Sequence, residues 1–174
     1  MINARSLSNK IEDLNHIINI YNPALPLINE TWLTDINTIK SELSFMRNYQ
    51  IVLANRVVKR DGGSAILIKN ELSFQTMFTG SIFQSEIIHI RPLLKKNIHI
   101  INVYRPPNTN ALNTKKLLKF ISEQIKQNKT IICGDFNIPN ILWSHNEIIA
   151  QNDKISKIFL EFINQLQLNL LWKT

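Results

Sequence analysis

The sequence predicts an α/β fold of two packed sheets covered by helices. Three observations carry this. A run of short strands meanders through the middle of the chain. Segments with apolar residues at helical spacing come before and after it. At 174 residues and 44% hydrophobic, the chain has the material for one well-buried core without crosslinks.

In chain order, Met1 to Asn3 has the look of the tail of a strand. Leu7, Ile11, Leu14, Ile18 and Tyr21 then repeat at helical spacing, with Ser8 as the expected cap and Pro23 as the stop. Ala24 to Asn29 is a short apolar strand with Glu30 at its C-terminal end. Thr34 to Ser44 reads as a short helix or loop, and Gln50 to Asn55 as a strand. Asp61-Gly62-Gly63 is a hairpin turn, because glycine takes positive φ without a Cβ penalty. Ser64 to Lys69 and Leu72 to Phe78 are two further strands. Ser85 to Arg91 alternates around Ile88 and Ile90, and Asn97 to Tyr104 is its expected partner. Pro106-Pro107 stops that strand. Thr114 is the expected cap of a helix carrying Leu117, Leu118, Ile121 and Ile125 on one face. Ile131 to Gly134 is a short strand expected to be buried. Asp153 caps a helix with Ile155, Ile158, Phe159, Phe162 and Leu166 inward, and Leu168 to Trp172 begins a last strand. Chain ends that fall on strands suggest a domain over residues 1–174 that is incomplete at both ends.

No apolar run is long enough to span a bilayer, and Met1 to Lys10 lacks a signal-peptide core. A membrane partner is therefore not expected. Cys133 is the only cysteine, which excludes an internal disulfide and a cysteine zinc cluster and fits an intracellular setting, nucleus or cytoplasm. Its expected place is inaccessible in a core strand. The net charge of +7 favours polyanionic partners, nucleic acid first. The lysine pairs are scattered, however, and an AT-rich coding sequence gives the same bias toward Lys, Asn and Ile. A solvated basic surface without a partner stays open.

Four places carry possible chemistry. Gly134-Asp135-Phe136-Asn137 puts an acid and an amide at the C-terminal end of a strand, where α/β sheets bind ligands. There they can hold a water and a phosphate oxygen together, though a plain turn explains the string as well. Glu30, just past its strand, is a hard oxygen ligand suited to Mg²⁺, or else a surface glutamate. Tyr104 and Arg105 precede a proline pair that stiffens the exit loop. A phenol donates to a phosphate oxygen and a guanidinium forks onto one, or the two are a core-edge Tyr and a surface Arg. Asn3 could orient a metal or phosphate. Among the histidines, His16, His89 and His99 are expected on polar faces. His145 follows the Asp135 loop closely enough to be a minor phosphate-binding candidate. Trp32 and Trp143 are expected to be buried or to border the site.

Taken together, these strings fall in a distinctive order. Asn3 with Arg5-Ser6-Leu7, Glu30-Thr31-Trp32-Leu33, Gly62-Gly63-Ser64-Ala65, Tyr104-Arg105-Pro106-Pro107 and Gly134-Asp135-Phe136-Asn137 follow one another, and then Trp143-Ser144. The set resembles the endonuclease/exonuclease/phosphatase family, and within it the apurinic-type endonuclease domain of non-LTR, jockey-like retrotransposons. The resemblance implies a DNase I-like four-layer α-β-β-α sandwich of two mixed sheets. It also implies hydrolysis of DNA phosphodiesters with Mg²⁺ or Mn²⁺, nicking a target for a reverse transcriptase in the same polyprotein. By motif, Glu30 would bind the metal with support from Asn3, Asp135 would activate water, and Asn137 and Tyr104 would hold the phosphate. The family pattern continues to an Asp on a later strand and a closing Ser-Asp-His, which this sequence lacks before Thr174. The expectation is therefore a fragment of impaired activity. Its alternatives are a non-catalytic remnant that binds nucleic acid weakly, or a phosphatase or phosphodiesterase of the same superfold. The sequence leaves oligomeric state open.

Overall fold

Strand alternation sorts the side chains of this chain into three apolar layers, and those layers define the architecture. The computed structural model describes residues 1–33, 47–54, 62–125, 128–143, 145, 147–150 and 153–169. The elements are β1 (Ile2–Asn3), α1 (Ile11–Tyr21), β2 (Leu27–Asn29), β3 (Tyr49–Ala54), β4 (Ser64–Lys69), β5 (Phe74–Ile82), β6 (Ser85–Pro92) and β7 (Ile98–Tyr104). They continue with α2 (Ala111–Ile125), β8 (Lys129–Asp135), the short strands β9 (Ile141–Leu142) and β10 (Glu147–Ile148), and α3 (Lys154–Gln165). One sheet has the order β1-β2-β4-β3 and the other β5-β6-β7-β8; β9 and β10 form a separate two-stranded ribbon. Each large sheet is mixed. β1 runs parallel to β2, and β7 parallel to β8, while the remaining pairs are antiparallel.

Between the sheets lie Leu27, Val52, Ala54, Ile66, Ile68, Ile88, Ile90 and Ile100. Alternate residues of the same strands point outward. Ile28, Ala65 and Leu67 pack with Leu14 and Ile18 of α1. On the far side, Ile87, Ile101 and Val103 pack with Leu117, Leu118 and Ile121 of α2 and Phe159, Phe162 and Ile163 of α3. The layers are thus α1, first sheet, second sheet, α2 with α3, the expected α-β-β-α order. Each isoleucine taken wholly out of water contributes roughly 1.5–3 kcal/mol, so three shared layers hold the sandwich.

The caps explain where the helices begin. Asp153 caps α3 as expected: its Oδ1 accepts from the N–H of Ile155 at 2.9 Å and of Ser156 at 3.1 Å. Those bonds, the Ser156 hydroxyl foremost, hold its carboxyl down at about 2. Thr114 is not the cap of α2. The helix starts earlier, and Asn110 accepts from the Asn113 N–H at 2.8 Å, while Thr114 is buried within the first turns. Ser8 caps nothing. Residue Lys10 precedes α1 without a side-chain cap bond, and Tyr21, expected inward, is exposed. The α1 helix ends at Asn22 in the left-handed conformation, its N–H bonded to the Ile18 carbonyl.

Two expectations about burial are overturned. β8 is an edge strand among the described residues, paired only to β7, so Ile131 is exposed and Cys133 half-buried rather than inaccessible. Its partial burial raises the thiol pKa. His89 and His99 are not on a polar face: they are 2% and 3% exposed, with Nε2 and Nδ1 2.8 Å apart. The outer face of β6 and β7 is covered, so polar positions there are buried too.

Burial, and then the neighbouring His99 ring, lower His89 to about 4 against a slight opposing pull from Gln124. Burial and Arg91 lower His99 as well. A histidine whose folded pKa lies below its unfolded 6.5 stabilises the fold fully above pH 6.5. That stability is lost as pH falls toward 4, by roughly 1 kcal/mol per pH unit. Thermal unfolding at pH 7 and pH 5 should therefore show a marked drop in Tm. The drop should shrink in a His89→Leu/His99→Leu double variant, and equal slopes in the two proteins would remove the histidine pair as its cause.

The expected helix or loop over Thr34 to Ser44, the end of the β3 strand at Asn55, Asp61 of the turn, Ser144 and the final strand beyond residue 169 lie outside the described residues. Among the described residues no helix is long and apolar enough to cross a membrane.

Candidate active site

At one end of the sandwich the inter-sheet layer turns from apolar to polar. The switch follows each strand by steps of two. Ile100 is succeeded by Asn102 and Tyr104, Leu27 by Asn29, and Cys133 by Asp135, while Ile66 is preceded by Ser64. The strand ends therefore deliver polar side chains to a single rim.

Three of the expected site residues meet there. Asn3 at the end of β1 donates from Nδ2 to Glu30 Oε1 at 3.0 Å and to Asp135 Oδ2 at 2.8 Å. Asn3 and Glu30 belong to the first sheet and its exit, Asp135 to the second. One amide thus bridges carboxylates from both sheets. The Asn3 oxygen accepts from the Arg5 N–H at 3.2 Å. In this arrangement the Asn3 amide orients both carboxylates, and its oxygen keeps one lone pair beyond the Arg5 bond.

The backbone around the rim is strained. Arg5, Ser6, Glu30, Trp32 and Asn137 all have positive φ, a conformation that side chains with a Cβ adopt rarely. Such residues gather where the surrounding structure fixes them for a purpose. The strain at Glu30 and Trp32 is held by hydrogen bonds: Ser6 N–H to the Glu30 carbonyl at 2.8 Å, and Trp32 N–H to the Gly62 carbonyl at 2.8 Å. The side chain of Trp32, expected to be buried or at the border of the site, is 37% exposed two residues past Glu30. Trp143 is partly buried, edge-on to Phe159.

Tyr104 is opposite Asp135 in the parallel β7–β8 register and is buried at 5% exposure. Asn137 donates its backbone N–H to Asp135 Oδ1 at 3.0 Å and a side-chain N–H to the Arg105 carbonyl at 2.8 Å. Its second side-chain N–H is the donor it has for a phosphate oxygen.

Arg105 is a correction. As a phosphate ligand it would have to be accessible, but it is 1% exposed. Its guanidinium donates to Thr114 Oγ1 at 3.0 Å, to the Phe136 and Asn137 carbonyls at 2.8 and 3.1 Å, and to the Thr109 carbonyl at 2.8 Å. Four of its five N–H groups are spent on α2, the loop before it and the loop that follows β8. It is a buried clamp. His145 stands exposed in the turn between β9 and β10, its backbone N–H on the Leu142 carbonyl.

Residues to which the motif reading gave no role complete the rim. Asn29, Ser64 and Asn102 are wholly buried beneath Asn3 and Glu30, and Glu86 is wholly buried opposite Tyr104 in register. Glu86 accepts from Ser81 Oγ at 3.4 Å. Its strand position, two residues before the inward Ile88, was the signal that could have found it.

The donor chemistry suits a hard cation. Among the described residues no group of three or more His, Cys, Asp or Glu side chains is assembled for a metal. Among the described residues the rim offers the carboxylates of Glu30 and Asp135, with the buried Glu86 behind them, and no thiolate or imidazole. Mg²⁺ is commonly held by one or two carboxylates, with water and substrate phosphate completing its shell. Glu30 and Asp135 fit that requirement; a zinc site would not.

Comparisons with known proteins agree with this fold. A family model described as endonuclease-reverse transcriptase matches residues 98–174. No curated protein matches the chain in sequence. Among solved structures, the endonuclease domain of TRAS1, a telomere-specific non-LTR retrotransposon, aligns with a TM-score of 0.73 at 13% identity, covering 99% of this chain and 73% of that one. An AP endonuclease from Archaeoglobus fulgidus aligns with a TM-score of 0.68 at 14% identity, covering 94% of this chain and 68% of that one. Truncated Caenorhabditis elegans TDP2 aligns with a TM-score of 0.58 at 17% identity over 78% of this chain. This chain spans only 57% of the length of that TDP2 structure. Two mixed four-stranded sheets between helical layers, with the polar rim at the strand ends, give this chain a DNase I-like fold.

Proposed function

We propose that the rim is the active centre of a metal-dependent phosphodiesterase that nicks DNA, of the kind that opens a target for retrotransposition beside a reverse transcriptase. The observation that carries this reading is the Asn3 amide, which ties Glu30 and Asp135 together across the two sheets at 3.0 and 2.8 Å. The match of residues 98–174 to an endonuclease-reverse transcriptase model supports the retrotransposon branch, as do the Glu-Thr-Trp-Leu and Tyr-Arg-Pro-Pro strings. The chain's positive charge favours a polyanionic substrate.

In this reading Glu30 and Asp135 hold Mg²⁺ or Mn²⁺, which when bound would offset charge growing on the phosphate in the transition state. Asp135, fixed from both sides by Asn3 and the Asn137 N–H, takes a proton from the attacking water. The Tyr104 hydroxyl and the second Asn137 N–H donate to phosphate oxygens. Arg105 binds no substrate and keeps the Asn137 loop in place.

Plasmid nicking tests this. The chain should relax supercoiled DNA slowly with Mg²⁺ or Mn²⁺ and stop on addition of EDTA. Asp135→Asn should lower the rate by roughly two orders of magnitude. Glu30→Gln should raise the metal concentration needed for half-maximal rate. Release of phosphate from a 3′-phosphorylated oligonucleotide, without nicking, would turn the assignment to a phosphatase. If neither reaction occurs with either metal, the catalytic reading fails and weak, salt-sensitive DNA binding is what remains.

A further inference from the structure

Glu30 leaves the first sheet and Asp135 ends a strand of the second, so the geometry of their pair depends on how the two sheets are shifted against each other. Most of what lies between the sheets is aliphatic. Hydrophobic contact is non-directional. It sets the spacing of the sheets but is a poor ruler for sliding one along the other. A catalytic pair has to be held to about half an ångström.

Besides the Thr79 hydroxyl on the Leu53 carbonyl, at the other edge of the sheets in β5 and β3, and the Asn3 amide at the rim itself, one buried cluster supplies directional bonds across the gap. Asn29 Oδ1 accepts from Ser64 Oγ at 2.9 Å, within the first sheet, and from Asn102 Nδ2 at 3.0 Å, from the second. Asn29 Nδ2 donates back across the gap to the Val103 carbonyl at 3.3 Å. All three side chains are 0% exposed. Both lone pairs of the Asn29 oxygen are used, so its amide plane is fixed. Asn29 immediately precedes Glu30, and its carbonyl accepts from Ala4, the residue after Asn3, at 2.9 Å. Asn102 is two residues from Tyr104 on the same strand face, and β7 is bonded in register to the strand ending at Asp135. The cluster also carries a cost. Asn102 Oδ1 is buried and takes no hydrogen bond from the described residues. An apolar side chain would avoid that cost, which argues that the polar contact serves something besides stability.

We propose that Asn29, Ser64 and Asn102 are positioning residues, a pin between the sheets that sets the distance between Glu30 and Asp135. The proposal rests on the metal-dependent reading of the rim. Its test is Mn²⁺ binding, followed by electron paramagnetic resonance of the free ion, together with plasmid nicking and thermal unfolding. Asn102→Leu, of similar volume, should keep the fold, weaken Mn²⁺ binding by about tenfold or more, and lower kcat with KM for DNA unchanged, as loss of a supporting contact behind a metal ligand does. Ser64→Ala removes one hydroxyl and adds no bulk, and should move the same readouts in the same direction by less. A folded Asn102→Leu protein with wild-type Mn²⁺ affinity and kcat would overturn the proposal. So would unfolding of both variants, which would make the cluster a stability element only. Glu30→Gln separates the two levels. If it abolishes Mn²⁺ binding while Asn102→Leu does not, the pin alone is wrong. If Glu30→Gln binds Mn²⁺ as the wild type does, the metal reading fails and the pin falls with it.

Discussion

Gly134→Ala should destabilise the fold by roughly 3 kcal/mol or more, because backbone occupies the space a methyl group would need. A Cβ at this position would sit 1.9 Å from the Val103 carbonyl oxygen and 2.8 Å from its carbon and nitrogen. These atoms belong to the neighbouring strand of the same sheet and are held in the parallel β7–β8 ladder, with Val103 opposite Gly134. They cannot swing aside as the end of a long side chain would. Gly134 also has φ near +143°, a conformation that side chains with a Cβ avoid. Relief requires β8 to move away from β7, which carries Asp135 off the rim. For a domain of this size the loss corresponds to a fall in Tm of roughly 6–12 °C. Mn²⁺ binding should weaken with it. A Gly134→Ala protein that melts at the wild-type temperature would show that β8 does not lie against β7 in this way.

The same glycine shows what the sequence made legible. Gly134, Asp135 and Asn137 stand out because a strand ending in Gly-Asp-x-Asn needs a special backbone, and short-range chemistry of that kind survives in one dimension. The period-two strands were equally readable. β4 runs over Ser64–Lys69 as expected, and β6 and β7 match within a residue. The Asp153 cap was readable for the same local reason. What failed depends on contacts distant in sequence. His89 and His99 alternate with isoleucines and so have the pattern of a solvated face, until α2 covers that face. Thr114 resembles a cap but is drawn inside by Arg105, nine residues earlier. Asn29 and Asn102 passed unnoticed because an asparagine in an asparagine-rich chain carries little information; Ser64, read only as part of Gly62-Gly63-Ser64-Ala65, had no role until the packing of two sheets brought the three together. Residues read as chemically active by type, such as Arg105, needed their acceptors to be seen before their task could be assigned.

Arg105→Met should cost the fold roughly 4 kcal/mol and disturb the rim more than any exposed arginine substitution. Methionine fills much of the volume of the arginine stem, so the loss is one of hydrogen bonds and not of a large cavity. The guanidinium serves four acceptors: Thr114 Oγ1, and the carbonyls of Thr109, Phe136 and Asn137. Burial already lowers its pKa below the usual guanidinium range, with Asp153 opposing that effect, and its four bonds are what keep a desolvated cation in place. With the head group gone, acceptors in a dry region lose their donor, at about 1–3 kcal/mol for each one left unpaired. Some carbonyls will turn to water, so the total stays below the sum. The turning is itself the functional consequence. The Phe136 and Asn137 carbonyls belong to the loop whose Asn137 N–H holds Asp135 Oδ1. Arg105→Lys keeps the charge but cannot reach four acceptors from one ammonium, and should recover less than half of the lost stability. Urea unfolding of the three proteins gives the order wild type, Arg105→Lys, Arg105→Met. If Arg105→Met unfolds with the wild-type midpoint, the guanidinium is solvated, and Arg105 returns to the exposed phosphate ligand that its place beside Tyr104 first suggested.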